Sequence, residues 1–359
     1  MAKQPWTPWH QVVKLRADLL SCELPLHMFA ADLYEVLMQG GKRPVYEDPK
    51  SFFALTYPTH NLRNLVRDVV LRVAGKNDKA IRQLELTYGG GKTHTLITLR
   101  HLVTDPSKLP DVPAVREFEQ AIGEKPMAAR VAGLCCDKLD VEKGMDARDP
   151  KGAVRRLKHP WSIIAWQLAG DKGLKLLHPK DKAEERDSPP AENLLTDLLQ
   201  IPVDEGMGVL ILLDEVLMFA RQKVALDRSW AEILQDFFDY LTRAATKVNR
   251  CCIVASLLAS DPSKSDILGR ELQSDLYDIF NRLKEEVVEP VTKDDAAEVL
   301  RRRFFTPESI KDRDAFKPHV IAALQGIKDI DEHTRKHGQA AEDELLNSYP
   351  FHPRLTDVF

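Results

Sequence analysis

Two stretches of this chain carry no polar side chain at all: Gly208 to Leu213 (GVLILL) and Cys251 to Ala255 (CCIVA). A strand with one face in water alternates apolar and polar residues, whereas one that lacks the alternation is buried on both faces. Such strands belong in a parallel sheet covered above and below by helices. The rest of the chain supplies both parts. Ile81 to Leu86 and Ala129 to Cys136 read as further strands, and Lys92 to Val103, Pro160 to Ala169, Leu194 to Leu199 and Trp230 to Thr246 as helices. Strands alternating with helices predict an α/β fold with a parallel sheet. His178 to Asn193, charged and carrying Pro-Pro, reads as a solvated loop.

Ahead of this region, Trp9 to Leu20, Pro25 to Met38 and Asn61 to Ala74 have helical spacing, with Asn61 as a cap and Gly75 as a stop. Lys42 to Lys50 reads as a polar connection. After Glu289-Pro290-Val291 the pattern is helical only, over Asp294 to Phe305, Phe316 to Ile327 and Asp331 to Asn347. The expected division is an N-terminal helical region over 1–50, an α/β core over 51–290 and a helical region over 291–359. The last residues fall inside what reads as another helix, so the chain is expected to be the front of a longer protein.

Composition narrows the setting. A net charge of −4 over 359 residues gives no global case for nucleic-acid binding. No apolar run approaches the ~20 residues that span a bilayer, and Met1 to Trp6 lacks the apolar core of a secretion signal. A cytoplasmic protein without membrane contact is expected. The five cysteines fit a reducing compartment: Cys135-Cys136 and Cys251-Cys252 are vicinal pairs within strands, whose side chains diverge to opposite faces and suit neither one metal nor a C-x-x-C site.

The most specific chemistry lies at residues 86–93, Leu-Thr-Tyr-Gly-Gly-Gly-Lys-Thr, between a strand and a helix. Glycines at 89, 90 and 91 leave backbone N–H groups free to face phosphate oxygens, at the positive end of the following helix. Lys92 is placed for the β- and γ-phosphates of a nucleoside triphosphate, and the Thr93 hydroxyl for Mg²⁺. Tyr88 belongs to the same loop. His94 follows on the helix, with two readings, phosphate approach and packing, of which packing is the default. Leu86 stands where G-x-x-x-x-G-K-T has its first glycine. The bland alternative is a glycine-rich turn with an incidental Lys-Thr.

Leu210 to Glu215 (LILLDE) supplies the complement. A buried strand ending in Asp-Glu sets two carboxylates at the carboxyl edge of a parallel sheet, where such folds bind ligands. Asp214 is the candidate Mg²⁺ ligand and Glu215 the candidate general base for water; the bland alternative is an acidic loop or helix cap. Adjacent Asp-Glu favours hydrolysis over nucleotide kinase chemistry. The strand Cys251 to Ala255 runs into Ser256. In ATPases with a strand between the two motifs, a polar residue there reads the γ-phosphate, so Ser256 is the candidate, with Ser260 second; a serine that merely ends a strand is the alternative.

The order of these elements resembles the AAA+ superfamily of P-loop ATPases. That resemblance implies ATP and Mg²⁺ as ligands, a P-loop ATPase core over 51–290 and a helical lid over 291–359. It implies an arginine finger at Arg282 (Asp278 to Arg282, DIFNR), with Arg270 second, acting across a homo-oligomer; a surface arginine is the alternative. It further implies a lid sensor at Arg354, within Tyr349 to Arg354 (YPFHPR), and an adenine pocket near Pro58. Trp161 and Trp166 are expected in the core, and Arg301-Arg302-Arg303 on a solvated helix face, with DNA contact the lesser reading.

Four segments narrow the match: YPTHNL (57–62), LTYGGGKTHTL (86–96), PWSIIAWQL (160–168) and YPFHP (349–353). Together they resemble a large prokaryotic ATPase family, filed as a domain of unknown function and found beside DNA methyltransferases in phage-defence islands, similar to the large ATPases of BREX-type defence. Within that family Leu86 is an ordinary residue. The resemblance implies an ATP-hydrolysing motor or remodeller in a defence or DNA-modification complex, with a DNA methyltransferase among its partners and DNA as a further contact. A slow nucleotide-controlled switch, or a scaffold without turnover, is the alternative.

Overall fold

The computed structural model describes residues 7–20, 30–84, 91–178, 186–257, 267–281, 288–292, 295–312, 314–327 and 332–356. The chain divides into two compact units. One comprises Ala31–Phe52 with His60–Pro290, the other Met1–Ala30, Phe53–Thr59 and Val291–Phe359.

The larger unit is built on four parallel strands: β1 (Ile81–Leu84), β2 (Ala129–Cys135), β5 (Gly208–Asp214) and β6 (Cys251–Ser256). Their spatial order is β1-β6-β5-β2, and Val288 forms a parallel bridge to Leu84 outside β1. The chain therefore runs from β1 to the far edge at β2 and fills the gap with β5 and then β6. The two unalternating strands occupy the centre: every residue of β5 and of β6 is buried. Val209, Ile211 and Leu213 share a core with α5 (Pro160–Leu177), α6 (Glu192–Asp204), α8 (Trp230–Lys247) and α9 (Ile267–Asn281). Leu210 and Leu212 face the opposite way by strand alternation, where α2 (His60–Val73) and α3 (Lys92–Thr104) pack. This is the α/β sheet, helix-covered on both sides, that the apolar runs require.

The edge strand β2 is protected rather than exposed. Gln167 on α5 accepts the Gly133 N–H at 2.8 Å, and α1 (Leu33–Met38) approaches so closely that a Cβ at Gly133 would lie 2.2 Å from Leu37 Cδ1. Arg72, near the end of α2, ties the helices to the sheet. Its Nε donates to Cys251 O (2.9 Å), its Nη1 to Asn77 O (3.0 Å), and its Nη2 to Ala245 O (3.1 Å) and Val248 O (3.0 Å) at the carboxyl end of α8. It thus satisfies carbonyls that a helix terminus leaves open.

Several elements differ from their expected form. β3 (Met145–Arg148) and β4 (Val154–Leu157) pair as an antiparallel hairpin; MDAR alternates over only four residues, with Met145 and Ala147 buried, and VRRL does not alternate, so neither is long enough or regular enough to announce a strand. Helices α4 (Pro113–Ile122), α7 (Val216–Leu226) and α9 add to those expected from the sequence. The Pro160 helix continues past Ala169 through a break at Gly170 (φ 55).

In the smaller unit, α10 (Ala296–Phe304), α11 (Lys317–Ile327) and α12 (Glu332–Ser348) correspond to the three expected helices. Trp9 to Leu20 is not one helix. It forms two single turns, Trp9–Val12 and Ala17–Leu20, separated where Leu15 bridges Phe305 in antiparallel fashion and Val13 enters the core with Phe305, Phe316, Val320 and Tyr349. Of Pro25 to Met38, only Leu33–Met38 is helical among the described residues, starting at Asp32, whose side chain caps it. Arg301 corrects the expectation of a solvated basic face. It is 1% exposed, and its Nη2 meets Glu298 Oε1 at 2.6 Å and Asn347 O at 2.8 Å. Helical phase turns Arg301 inward beside Ala297 and Leu300, and its guanidinium holds the end of α12. Burial brings its pKa down to about 10.

Candidate functional site

The carboxyl ends of the strands are level across the sheet. Leu84 pairs with Ser256, Ala255 with Leu213, and Asp214 with Cys135. The first residues beyond the apolar runs therefore collect along one edge, at the position where the connections of β1 and β6 leave in opposite directions. Open α/β sheets bind ligands at such a point.

Gly91 precedes α3 with φ 81 and ψ 17, a conformation glycine adopts without the Cβ penalty. Lys92 and Thr93 form the first turn of the helix. Thr93 Oγ1 donates to Asp214 Oδ2 at 3.1 Å, so two motifs 121 residues apart meet at one hydrogen bond. Asp214 is 6% exposed, and its Oδ1 has no hydrogen-bond partner among the described residues. Burial, and then the neighbouring charge of Glu215, push its pKa up to about 6, with the Thr93 bond and Lys92 opposing. Glu215 is half-buried, and its pKa is also raised by burial and by Asp137, against the pull of Lys92 and Lys138. It adopts the left-handed region (φ 55, ψ 41) ahead of α7. A non-glycine residue held there stores about 1 kcal/mol or more, and such residues concentrate at functional sites. Ser256 is fully buried, and its Oγ has no partner among the described residues.

Asp137 belongs to neither sequence motif. It enters the cluster just past the end of β2, paired with Lys138 at 2.7 Å, and contributes to the raised pKa of both Asp214 and Glu215. A signal was present in the sequence: Asp137 is the first charged residue after a buried strand, as Asp214 is. Cys135 and Cys136 are buried at the same edge, and desolvation with the nearby Asp214 charge raises both thiols. They are packing groups, not nucleophiles.

His94 stacks on Phe52 (ring centroids 4.4 Å apart) and stands edge-on to Tyr46, an aromatic packing environment. Tyr88, Gly89, Gly90, Ser260 and Arg282 lie outside the described residues, as do the side chains of Arg270 and Arg354. The backbone of Arg354 belongs to a short helix, Pro353–Thr356, of the smaller unit, and Pro58 is a buried residue of that unit. The site as described thus brings together Lys92, Thr93, Asp214, Glu215 and Asp137 within the larger unit, with Ser256 at the same edge.

The family model described as DUF499 N-terminal domain matches residues 10–299. The chain belongs to the DUF499 family. No curated protein and no solved structure matches it. Among the described residues of this DUF499 chain, no helix is long and apolar enough to cross a membrane, and no group of three or more His, Cys, Asp or Glu side chains is disposed to hold a metal by itself. A hydroxyl and a carboxylate are nevertheless a donor set suited to Mg²⁺, which keeps several waters and completes its shell with substrate phosphates. The unpartnered Asp214 Oδ1 and the excess of carboxylates fit an added cation.

Proposed function

We propose that this chain is a Mg²⁺-dependent ATPase with a P-loop core of AAA+ type. The observation that carries this reading is the Thr93–Asp214 hydrogen bond at the carboxyl edge of the parallel sheet. It joins the lysine-threonine helix start to the acidic strand end, with β6 between their two strands. A chance Gly-Lys-Thr turn has no reason to meet a buried, under-satisfied aspartate.

In this reading Gly91, with the N–H groups that open α3, faces the phosphates, and Lys92 sets its ammonium against the β- and γ-oxygens. Thr93 and Asp214 hold Mg²⁺, which when bound neutralises phosphate charge. Glu215 accepts a proton from the attacking water as the bond from the γ-phosphorus to the leaving ADP oxygen breaks. Its raised pKa favours proton acceptance over the ordinary glutamate value. Ser256 orients that water or the γ-phosphate. The energy released serves motor or remodelling work in a prokaryotic defence or DNA-modification complex, with Arg282 acting across a homo-oligomer and Arg354 from the lid.

The test is ATP binding and phosphate release by wild type, Lys92→Ala and Glu215→Gln, each with and without duplex DNA. Wild type is expected to bind and hydrolyse ATP, Lys92→Ala to lose binding, and Glu215→Gln to bind normally while turnover falls about 100-fold. Wild type that binds no ATP overturns the proposal. Turnover stimulated by DNA supports the motor; slow turnover indifferent to DNA supports the nucleotide-controlled switch.

A further inference from the structure

At the other end of the same sheet lies a cavity of about 290 Å³. Its wall is made by the start of β2, by Met207 just before β5, by the last turns of α3 and by the β3–β4 turn, so it belongs to the amino edge, away from Asp214. Four cationic residues line it, Arg100, Arg130, Arg148 and Lys151, with one acidic residue, Asp149. That carboxylate is committed to the turn: its Oδ1 accepts the backbone N–H of Lys151 (3.0 Å) and of Ala153 (2.7 Å).

Arg148 commits its Nη1 to Met38 O at 2.7 Å, but Arg100 and Arg130 are not spent as buried arginines elsewhere in the molecule are. Arg72 and Arg301 each distribute their donors over several carbonyl or carboxylate oxygens. Arg100 is 6% exposed, yet among the described residues its guanidinium makes one hydrogen bond, the 3.3 Å contact of Nη1 with His101 Nδ1. Burial, with the Arg148 charge adding to it and Glu47 opposing, brings its pKa down to about 10. Arg130 Nε is buried with no partner among the described residues, and its Nη2 reaches Glu205 Oε2 only at 3.5 Å. Guanidinium donors left open around a cavity are costly without an acceptor and strong with an anionic one.

We propose that this cavity is a second anion site, separate from the nucleotide edge, which takes a small phosphate-type polyanion of the size of pyrophosphate. The volume sits at the lower end of small-ligand pockets and suits a free anion better than a polymer. Phosphate recognition by the open guanidinium donors of Arg100, with charge from Arg148, Lys151 and Arg130, supplies the affinity. The site stands on its own residues and does not depend on the ATPase reading.

Inorganic pyrophosphate is the probe, titrated calorimetrically into the Lys92→Ala protein so that the glycine loop contributes nothing. Binding is expected to persist there, to rise in affinity as salt is lowered, and to raise the melting temperature. Arg130→Gln and Lys151→Glu, each added separately at positions that are not deeply buried, are expected to weaken it about tenfold or more, with circular dichroism showing an unchanged fold. Loss of pyrophosphate binding with Lys92→Ala alone, or affinity indifferent to both cavity substitutions, overturns the proposal. A short single-stranded DNA that binds this protein where pyrophosphate does not overturns the free-anion assignment.

Discussion

Asp68 and Asp214 are both 6% exposed, and the molecule treats them in opposite ways. Asp68, on α2, is ringed by cations. Arg82 from β1 and Lys79 (2.7 Å) meet its Oδ2, and Arg67 meets its Oδ1 at 3.4 Å; one turn on, Arg72 commits its donors to carbonyls. Asp214 receives one hydroxyl, has two carboxylates for neighbours and leaves an oxygen unpartnered. A buried charge without compensation costs several kcal/mol. Equal burial with unequal satisfaction separates a group that holds the fold from one whose burial the fold itself does not compensate.

The comparison breaks most readily on the structural side. Asp68→Asn removes the carboxylate charge that Arg82, Lys79 and Arg67 share, and Arg72→Met strands several carbonyls. Each is expected to lower unfolding free energy by about 3–5 kcal/mol, measured by denaturant titration. ATP affinity per folded molecule should stay unchanged. A loss below 1 kcal/mol at both positions would place them outside the structural class.

Asp214→Asn should behave with the opposite sign. Its carboxyl pKa is raised from 3.8 to about 6, so the ionised form opposes folding at neutral pH, and the opposition disappears as pH falls below the unfolded value. Neutralising it is expected to raise stability by about 1–3 kcal/mol at pH 7 and by nothing at pH 3. Affinity for Mg²⁺–ATP should drop about 100-fold at the same time. Destabilisation at pH 7 would make Asp214 another Asp68.

How much of this contrast could be read in the residues themselves depends on distance along the chain. Gly91, Lys92 and Thr93 form a local unit, and Asp214-Glu215 close a strand whose burial its own composition announces, so both halves of the site were legible before any fold was known. Asp137 was not, because its standing depends on β2 pairing with β5 and ending level with Asp214, which is long-range register. Arg301 misled for a related reason: three consecutive arginines read as a charge run, and only the packing of α10 decides that one of them is buried while its neighbours are not. Leu15 shows the same limit, since its bridge to Phe305 breaks a segment whose apolar spacing is helical. The strand order β1-β6-β5-β2 likewise follows from crossovers, not from any strand's own residues.

A third buried ionisable group sharpens the comparison through pH. His101 is held neutral: its Nε2 meets Tyr46 O at 2.8 Å, and burial together with Arg100 lowers its pKa from 6.5 to about 4. The unfolded chain takes up this proton first, so the stability tied to neutral His101 is complete above pH 6.5 and is lost as pH falls toward 4, by about 3 kcal/mol. Asp214 runs the other way across an overlapping window, becoming less unfavourable as it protonates. Wild-type stability should therefore change little between pH 6 and 4 on account of this pair. Asp214→Asn should uncover a fall over that range, measured by thermal unfolding at intervals of pH. A flat profile in the variant would mean that His101 is not the opposing group.

Ser256 gives the smallest stability effect and the finest division. It is fully buried, pairs with Leu84 across the β1–β6 ladder, and its hydroxyl has no partner among the described residues. A buried hydroxyl that bonds nothing in the fold carries a desolvation cost that alanine removes, so Ser256→Ala should leave unfolding free energy unchanged or raise it by up to about 1 kcal/mol. If that hydroxyl orients water or the γ-phosphate, turnover should fall about tenfold with ATP affinity unchanged, since the lost contact acts after the nucleotide is bound. The two measurements together decide its class. A stability loss of about 1 kcal/mol or more with turnover intact would move Ser256 to the side of Asp68 and Arg72, and leave Asp214, Glu215 and Asp137 as the under-compensated groups of this edge.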